Sequence, residues 1–133
     1  MTAIHVAVGV IINSDNQVLI AKRAAHQHQG NKWEFPGGKL ENSETAQQAL
    51  QRELKEELGI EIQSATHLIK IIHKYSDKKA DDKTVLLDVY EVKDWRGEAQ
   101  GREGQAIRWV EKSALNQYEF PAANAEILST LGV

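Results

Sequence analysis

Gly38-Lys-Leu-Glu-Asn-Ser-Glu44-Thr-Ala-Gln-Gln-Ala-Leu50-Gln-Arg52-Glu53-Leu-Lys-Glu56-Glu57-Leu-Gly59-Ile60 is the stretch on which the reading of this chain turns. Ala46, Leu50, Leu54 and Leu58 recur at helical spacing, so residues 44–58 are expected to form an amphipathic helix. Asn42 or Ser43 suits its N-cap, Glu44 favours its first turn, and Gly59 is a natural residue just past its end. Glu53, Glu56 and Glu57 then fall on one face. Like charges at that spacing repel by roughly 0.2–0.5 kcal/mol per pair. The helix dipole disfavours each of them in the last turns by a further ~0.3–1 kcal/mol. Two local rules broken at one place point to a functional site. The bland alternative is a solvated acidic face, with Arg52 and Glu56 making only a weak surface pair. The functional reading is a site for a hard cation, Mg2+ or Mn2+, shared between carboxylates and phosphates.

Immediately upstream stands Phe35-Pro36-Gly37-Gly38-Lys39. Taken alone, this is a turn. It lacks the spacing of a Walker loop or a dinucleotide fingerprint. Its significance is that one helix joins it to the acidic turn, and that glycines let backbone approach a ligand closely.

Working outward, residues 4–12 form an apolar run that reads as a buried strand. A turn follows at Asn13–Asn16 and a second strand at 18–21. Further strands are expected at 33–35, 67–75, 85–92 and 107–110, with a polar loop at 76–83 and a final helix from Phe120-Pro121 to about Leu131. This alternation implies a single α/β domain over residues 1–133.

The 133 residues carry a net charge of −3 and no cysteine. Disulfides and thiolate catalysis are thereby excluded. A nucleic-acid polymer is not an expected partner, since it needs a basic face. No apolar run approaches the ~20 residues that a bilayer requires, and no secretory leader is evident. The expectation is a monomeric cytoplasmic protein.

Gly38, Glu44, Arg52-Glu53, Leu54, Glu56-Glu57, Gly59 and Ile60 fill every fixed position of the Nudix box. The chain resembles the Nudix hydrolases, and within them the MutT-like branch. Further matches are Ala7-Val-Gly9, Arg23-Ala-Ala25, Asn31-Lys32, Glu34 to Lys39, Trp95 with Gly97-Glu98, Glu103-Gly-Gln105, and Phe120-Pro with Ala123-Asn124. Together they span nearly the whole chain. The resemblance implies an α/β/α sandwich with a mixed β-sheet between helices. It also implies metal-dependent hydrolysis of a nucleoside triphosphate to the monophosphate and pyrophosphate, with 8-oxo-dGTP as the expected substrate and sanitation of the nucleotide pool before DNA replication as the expected role. ADP-ribose, dinucleoside polyphosphates and dihydroneopterin triphosphate stay open as substrates of other family members, and a non-catalytic nucleotide-binding module is the rival outside the enzymes.

Carried over residue by residue, the resemblance makes Glu53, Glu56, Glu57, the Gly37 carbonyl and Glu103 metal ligands, with Glu98 a competitor of Glu103. Glu53 is the expected base or the group placing the attacking water. Arg52 and Glu44 are positioning residues. Arg23, His28, Glu34, Phe35, Pro36, Gly37, Gly38, Lys39 and Asn124 take the substrate, Asn124 reading the purine edge through an amide that both donates and accepts. The longer loop at 76–84 departs from the pattern where base contacts are expected.

Overall fold

The structure, a computed structural model, describes residues 2–26, 30–75 and 83–133. Strand β1 (Thr2–Ile11) is the spine of the molecule. Its alternation decides everything around it: Val8 and Val10 enter one hydrophobic core, and Ala7 and Ile11 enter the other. The strand runs parallel to β6 (Lys83–Arg96) and antiparallel to β4 (Gly37–Lys39), and β6 runs antiparallel to β5 (Glu61–Tyr75). The result is a four-stranded mixed sheet of order β4-β1-β6-β5. Strands β2 (Gln17–Lys22), β3 (Trp33–Glu34) and β7 (Ile107–Glu111) form a second, antiparallel sheet of order β3-β2-β7.

The turn expected at Asn13–Asn16 is present. The Asn13 side-chain oxygen accepts from the N–H groups of Asp15 and Gln17, and Asn16 adopts a left-handed φ of 60°.

Helix α1 (Ala46–Leu58) buries Ala49, Leu50, Leu54 and Leu58 against Ala7, Ile11, Leu19, Tyr90 and Val92. Gly9 makes this approach close. A Cβ there would stand 3.4 Å from both Leu50 Cδ1 and Leu54 Cδ1. Helix α2 (Ala125–Thr130) packs Ile127 into the other core, with Val8, Phe35, Ile71 and Leu87. The mixed sheet therefore lies between two helices. Across its surface His5 of β1 and His67 of β5 both direct Nε2 at the carboxylate of Asp88, on the strand between them.

Several expected boundaries move. Thr45, not Asn42 or Ser43, caps α1. Its hydroxyl accepts from the Gln48 N–H at 3.1 Å, and the Gln48 side chain accepts from the Thr45 N–H at 2.9 Å. Glu44 consequently lies outside the helix. Gly37–Lys39 is a strand rather than a plain turn, because its backbone pairs with Val6–Val8. Strands β5 and β6 extend well beyond the apolar runs of 67–75 and 85–92, since their polar ends still complete ladder hydrogen bonds with each other. A 3-10 segment at Lys112–Gln117 was not anticipated, and another at Ala122–Asn124 precedes α2. The expected loop at 76–83 lies, but for Lys83, outside the described residues, as does His28.

The capping box carries a direct expectation. Thr45→Ala should lower unfolding free energy by about 1 kcal/mol in urea denaturation, and Ser43→Ala by clearly less. Equal losses would put the cap back at Ser43.

Candidate active site

Arg52 sits on α1 where its guanidinium reaches in several directions at once. Nε donates to Glu44 Oε2 at 2.8 Å and Nη2 to Glu44 Oε1 at 3.0 Å, a bidentate pair. Nη2 also donates to the Lys39 carbonyl at 3.0 Å, and Nη1 to Glu53 Oε1 at 2.7 Å. Arg52 thus ties the loop, the strand β4 and the helix together. Its interaction with Glu56, the weak surface pair of the bland alternative, is a looser 3.5 Å contact. The hydrogen bonds from Arg52, with one from the Glu41 N–H, lower the Glu44 carboxyl from 4.5 to about 2.

Glu53 points across to β4. A Cβ on Gly38 would lie 2.3 Å from Glu53 Cδ and 2.5 Å from Oε2, so a side chain there would push the carboxylate out of this position. A Cβ on Gly37 would strike the Ala7 carbonyl at 2.0 Å. The two glycines therefore serve different contacts: Gly37 lets β4 pair with β1, and Gly38 makes space for Glu53.

Glu57 follows one turn later on the same side, and it too is half-buried. Burial pushes its carboxyl well above the ordinary 4.5, the charges of Glu53, Glu34 and Glu103 push the same way, and a hydrogen bond from the Gly37 N–H opposes them. Glu34 is also raised by burial, which outweighs its ion pair with Arg23 at 2.6 Å. Four carboxylates thus feel one another around Glu57. Glu56 does not share that burial; its side chain is 55% exposed. The three box glutamates divide into an inward pair and an outward member, where periodicity alone placed them on a common face.

Glu103 arrives from residues 97–106, which fold over the C-terminus of α1. The Gln100 N–H donates to the Leu58 carbonyl at 3.0 Å, and the Arg102 N–H to the Glu57 carbonyl at 2.9 Å. These bonds satisfy carbonyls that the end of a helix leaves open. Gly59 accepts the crossing with φ 75°, and the Arg102 side chain lies where a Cβ would be. Of the two rival carboxylates, Glu103 contributes to the field at Glu57.

Phe35 is buried and stacks on Phe120 with centroids 5.1 Å apart. The Trp33 N–H donates to the Glu119 carbonyl at 2.8 Å. These contacts bring the segment leading to Asn124 alongside β3. Asn124 is half-buried, and its side chain does not cap α2. Lys39 is exposed and contributes only its carbonyl to the Arg52 network.

The donor set suits a divalent metal. Carboxylate oxygens are hard, acceptor-only ligands, and the excess negative charge around Glu57 is what a cation would relieve. Among the described residues, no three acidic, imidazole or thiol groups converge on one ion-sized point.

Residues 7–130 match the family model described as NUDIX domain. The chain belongs to the NUDIX family. A relative from Escherichia coli (strain K12), named 8-oxo-dGTP diphosphatase, is 40% identical over 131 residues, 98% of either chain. Another from the same organism, named CTP pyrophosphohydrolase, is 35% identical over 91% of this chain and 86% of its own. A solved MutT structure, from work on the Aliivibrio salmonicida and Vibrio cholerae proteins, superposes with a TM-score of 0.80 at 35% identity, covering 98% of this chain and 97% of the other. NUDIX hydrolases use divalent metal, and the MutT-like members act on small nucleotides. No helix among the described residues is long and apolar enough to cross a membrane.

The charge crowding at Glu57 gives a pH signature for the metal-free protein. The unfolded carboxyl titrates near 4.5 and the folded one higher. Between those values the folded chain holds a proton that the unfolded chain has lost, so this group makes stability fall as pH rises. Thermal melts in EDTA should show a decline from about pH 5 through neutrality. Glu57→Gln should flatten that decline, and so should saturating Mg2+ in the wild type. Parallel slopes for wild type and variant would contradict the assignment.

Proposed function

We propose that this protein is a metal-dependent nucleoside triphosphate pyrophosphohydrolase that converts 8-oxo-dGTP to 8-oxo-dGMP and pyrophosphate. The observation that carries the reading is the pairing of Glu53 over Gly38 with the half-buried Glu57, the two acidic groups that a NUDIX box aims at a polyphosphate chain. The 40% identity to a full-length relative named 8-oxo-dGTP diphosphatase supports the choice of base.

In this reading Glu53, Glu56, Glu57, Glu103 and the Gly37 carbonyl hold the metal, with Mg2+ the preferred ion and Mn2+ able to replace it. Bound divalent ions supply charge neutralisation along the phosphates and a means of acidifying the attacking water. Glu53 orients that water or takes its proton, held in place by Arg52. Arg52 is in turn fixed by Glu44. Arg23, His28 and the run Glu34, Phe35, Pro36, Gly37, Gly38 and Lys39 bind the nucleotide, and Asn124 reads the purine edge. The reading keeps the protein monomeric, cytoplasmic and confined to one domain, without a nucleic-acid polymer or a membrane as partner.

A second reading draws on the relative named CTP pyrophosphohydrolase: the same machinery acting on a pyrimidine triphosphate. Pyrophosphate release with Mg2+ over 8-oxo-dGTP, dGTP and CTP separates the two. The expected result is a kcat/KM for 8-oxo-dGTP above that for dGTP by at least about 100-fold, as for a site that hydrogen-bonds the distinguishing group. Equal values for the two purines would defeat the proposed substrate, and a preference for CTP would establish the second reading. Glu53→Gln should reduce kcat by about 100-fold or more, in the range of a lost general base. Asn124→Ala should chiefly reduce purine discrimination.

A further inference from the structure

Gln105 forms a link that neither the NUDIX box nor any substrate contact accounts for. Its side-chain Nε2 donates to the Glu57 carbonyl at 3.1 Å. Its Oε1 accepts from the Glu103 N–H at 2.9 Å. One amide therefore spans from the backbone of the half-buried Glu57 in the last turn of α1 to the backbone of Glu103 in the 97–106 loop. Both bonds use opposite ends of the same planar group, so the separation of the two backbones is fixed by the amide's own geometry. Only an amide supplies a donor and an acceptor in that arrangement at this length.

The loop is shaped around this link. A Cβ on Gly101 would stand 2.1 Å from the Gln105 carbonyl, so the chain can cross itself there only at glycine. Gly104 takes φ 80° and donates its N–H to the Gly101 carbonyl at 3.0 Å, which closes the turn from Gly101 to Gly104 that carries Glu103. The neighbouring Arg102 N–H shares the Glu57 carbonyl with Gln105.

We infer that Gln105 is a positioning residue for metal binding: it sets where the Glu103 carboxylate stands relative to Glu57, and touches neither metal nor substrate itself. The inference rests on the reading of Glu103 as the outlying metal ligand. The competing account is that Gln105 only caps the C-terminus of α1, a role that changes stability and nothing else.

A double-mutant cycle separates these accounts, with Mn2+ binding to the nucleotide-free protein measured by titration calorimetry and the melting temperature of each variant recorded. Gln105→Met keeps the length of the side chain and removes both hydrogen bonds. The expected result is a loss of Mn2+ affinity of about tenfold, the lower end of what loss of a ligand-orienting partner produces. Glu103→Gln should weaken affinity at least as much. The decisive arm is the double variant: Gln105→Met should add little once Glu103→Gln is present, because its effect passes through that carboxylate. An equal loss in both backgrounds, or a lowered melting temperature with unchanged Mn2+ affinity, overturns the inference and leaves Gln105 as a helix cap. If Glu103→Gln leaves affinity unchanged, the ligand reading of Glu103 fails and the inference fails with it. Should Gln105→Met not fold, Gln105→Asn withdraws the same amide by one methylene and is expected to shift affinity in the same direction.

Discussion

Helix α1 is set so close to strands β1 and β4 that side chains are missing where they meet. Gly9 lies in contact range of Leu50 and Leu54, and Gly38 sits directly under the Glu53 carboxylate. This contact is both packing and chemistry. The apolar stripe of α1 closes one core against Ala7, Ile11 and Leu19, and that burial fixes the roll of the helix. Once the roll is fixed, Glu53 and Glu57 can only face β4. The placing of these two carboxylates is a by-product of where Leu50, Leu54 and Leu58 must go.

The electrostatic consequence is a site that is costly without its cation. Glu57 is half-buried among like charges, and Glu34 is half-buried beside Arg23. Arg52 offsets part of this by holding Glu53 and Glu44. Such an arrangement gives up some stability of the metal-free fold and gains affinity for a divalent ion, a common exchange at functional sites. The loop at 97–106 adds to the crowding by delivering Glu103, but it also satisfies the carbonyls of Glu57 and Leu58.

Much of this was legible along the chain, for identifiable reasons. The α1 stripe was legible because helical periodicity is local. The box was legible because its residues lie within one loop and one helix. Less could be read where the deciding partner is distant. Thr45 displaced Ser43 as cap because Gln48 completes a reciprocal box, a competition between adjacent candidates that preference alone does not rank. Gly37–Lys39 became a strand because β1 supplies its partner from thirty residues upstream. The polar ends of β5 and β6 joined the sheet because they pair with each other, without needing an apolar face.

The sequence by itself determined the family, the α/β class and the acidic helix, since all three rest on short-range spacing. Tertiary structure alone decided which glutamates turn inward, that the Glu103 charge reaches Glu57, and that Gln105 ties the 97–106 loop to the last turn of α1. The reason is physical: burial and Coulomb interaction depend on distances in space, and those distances join residues nearly fifty positions apart, such as Gln105 and Glu57.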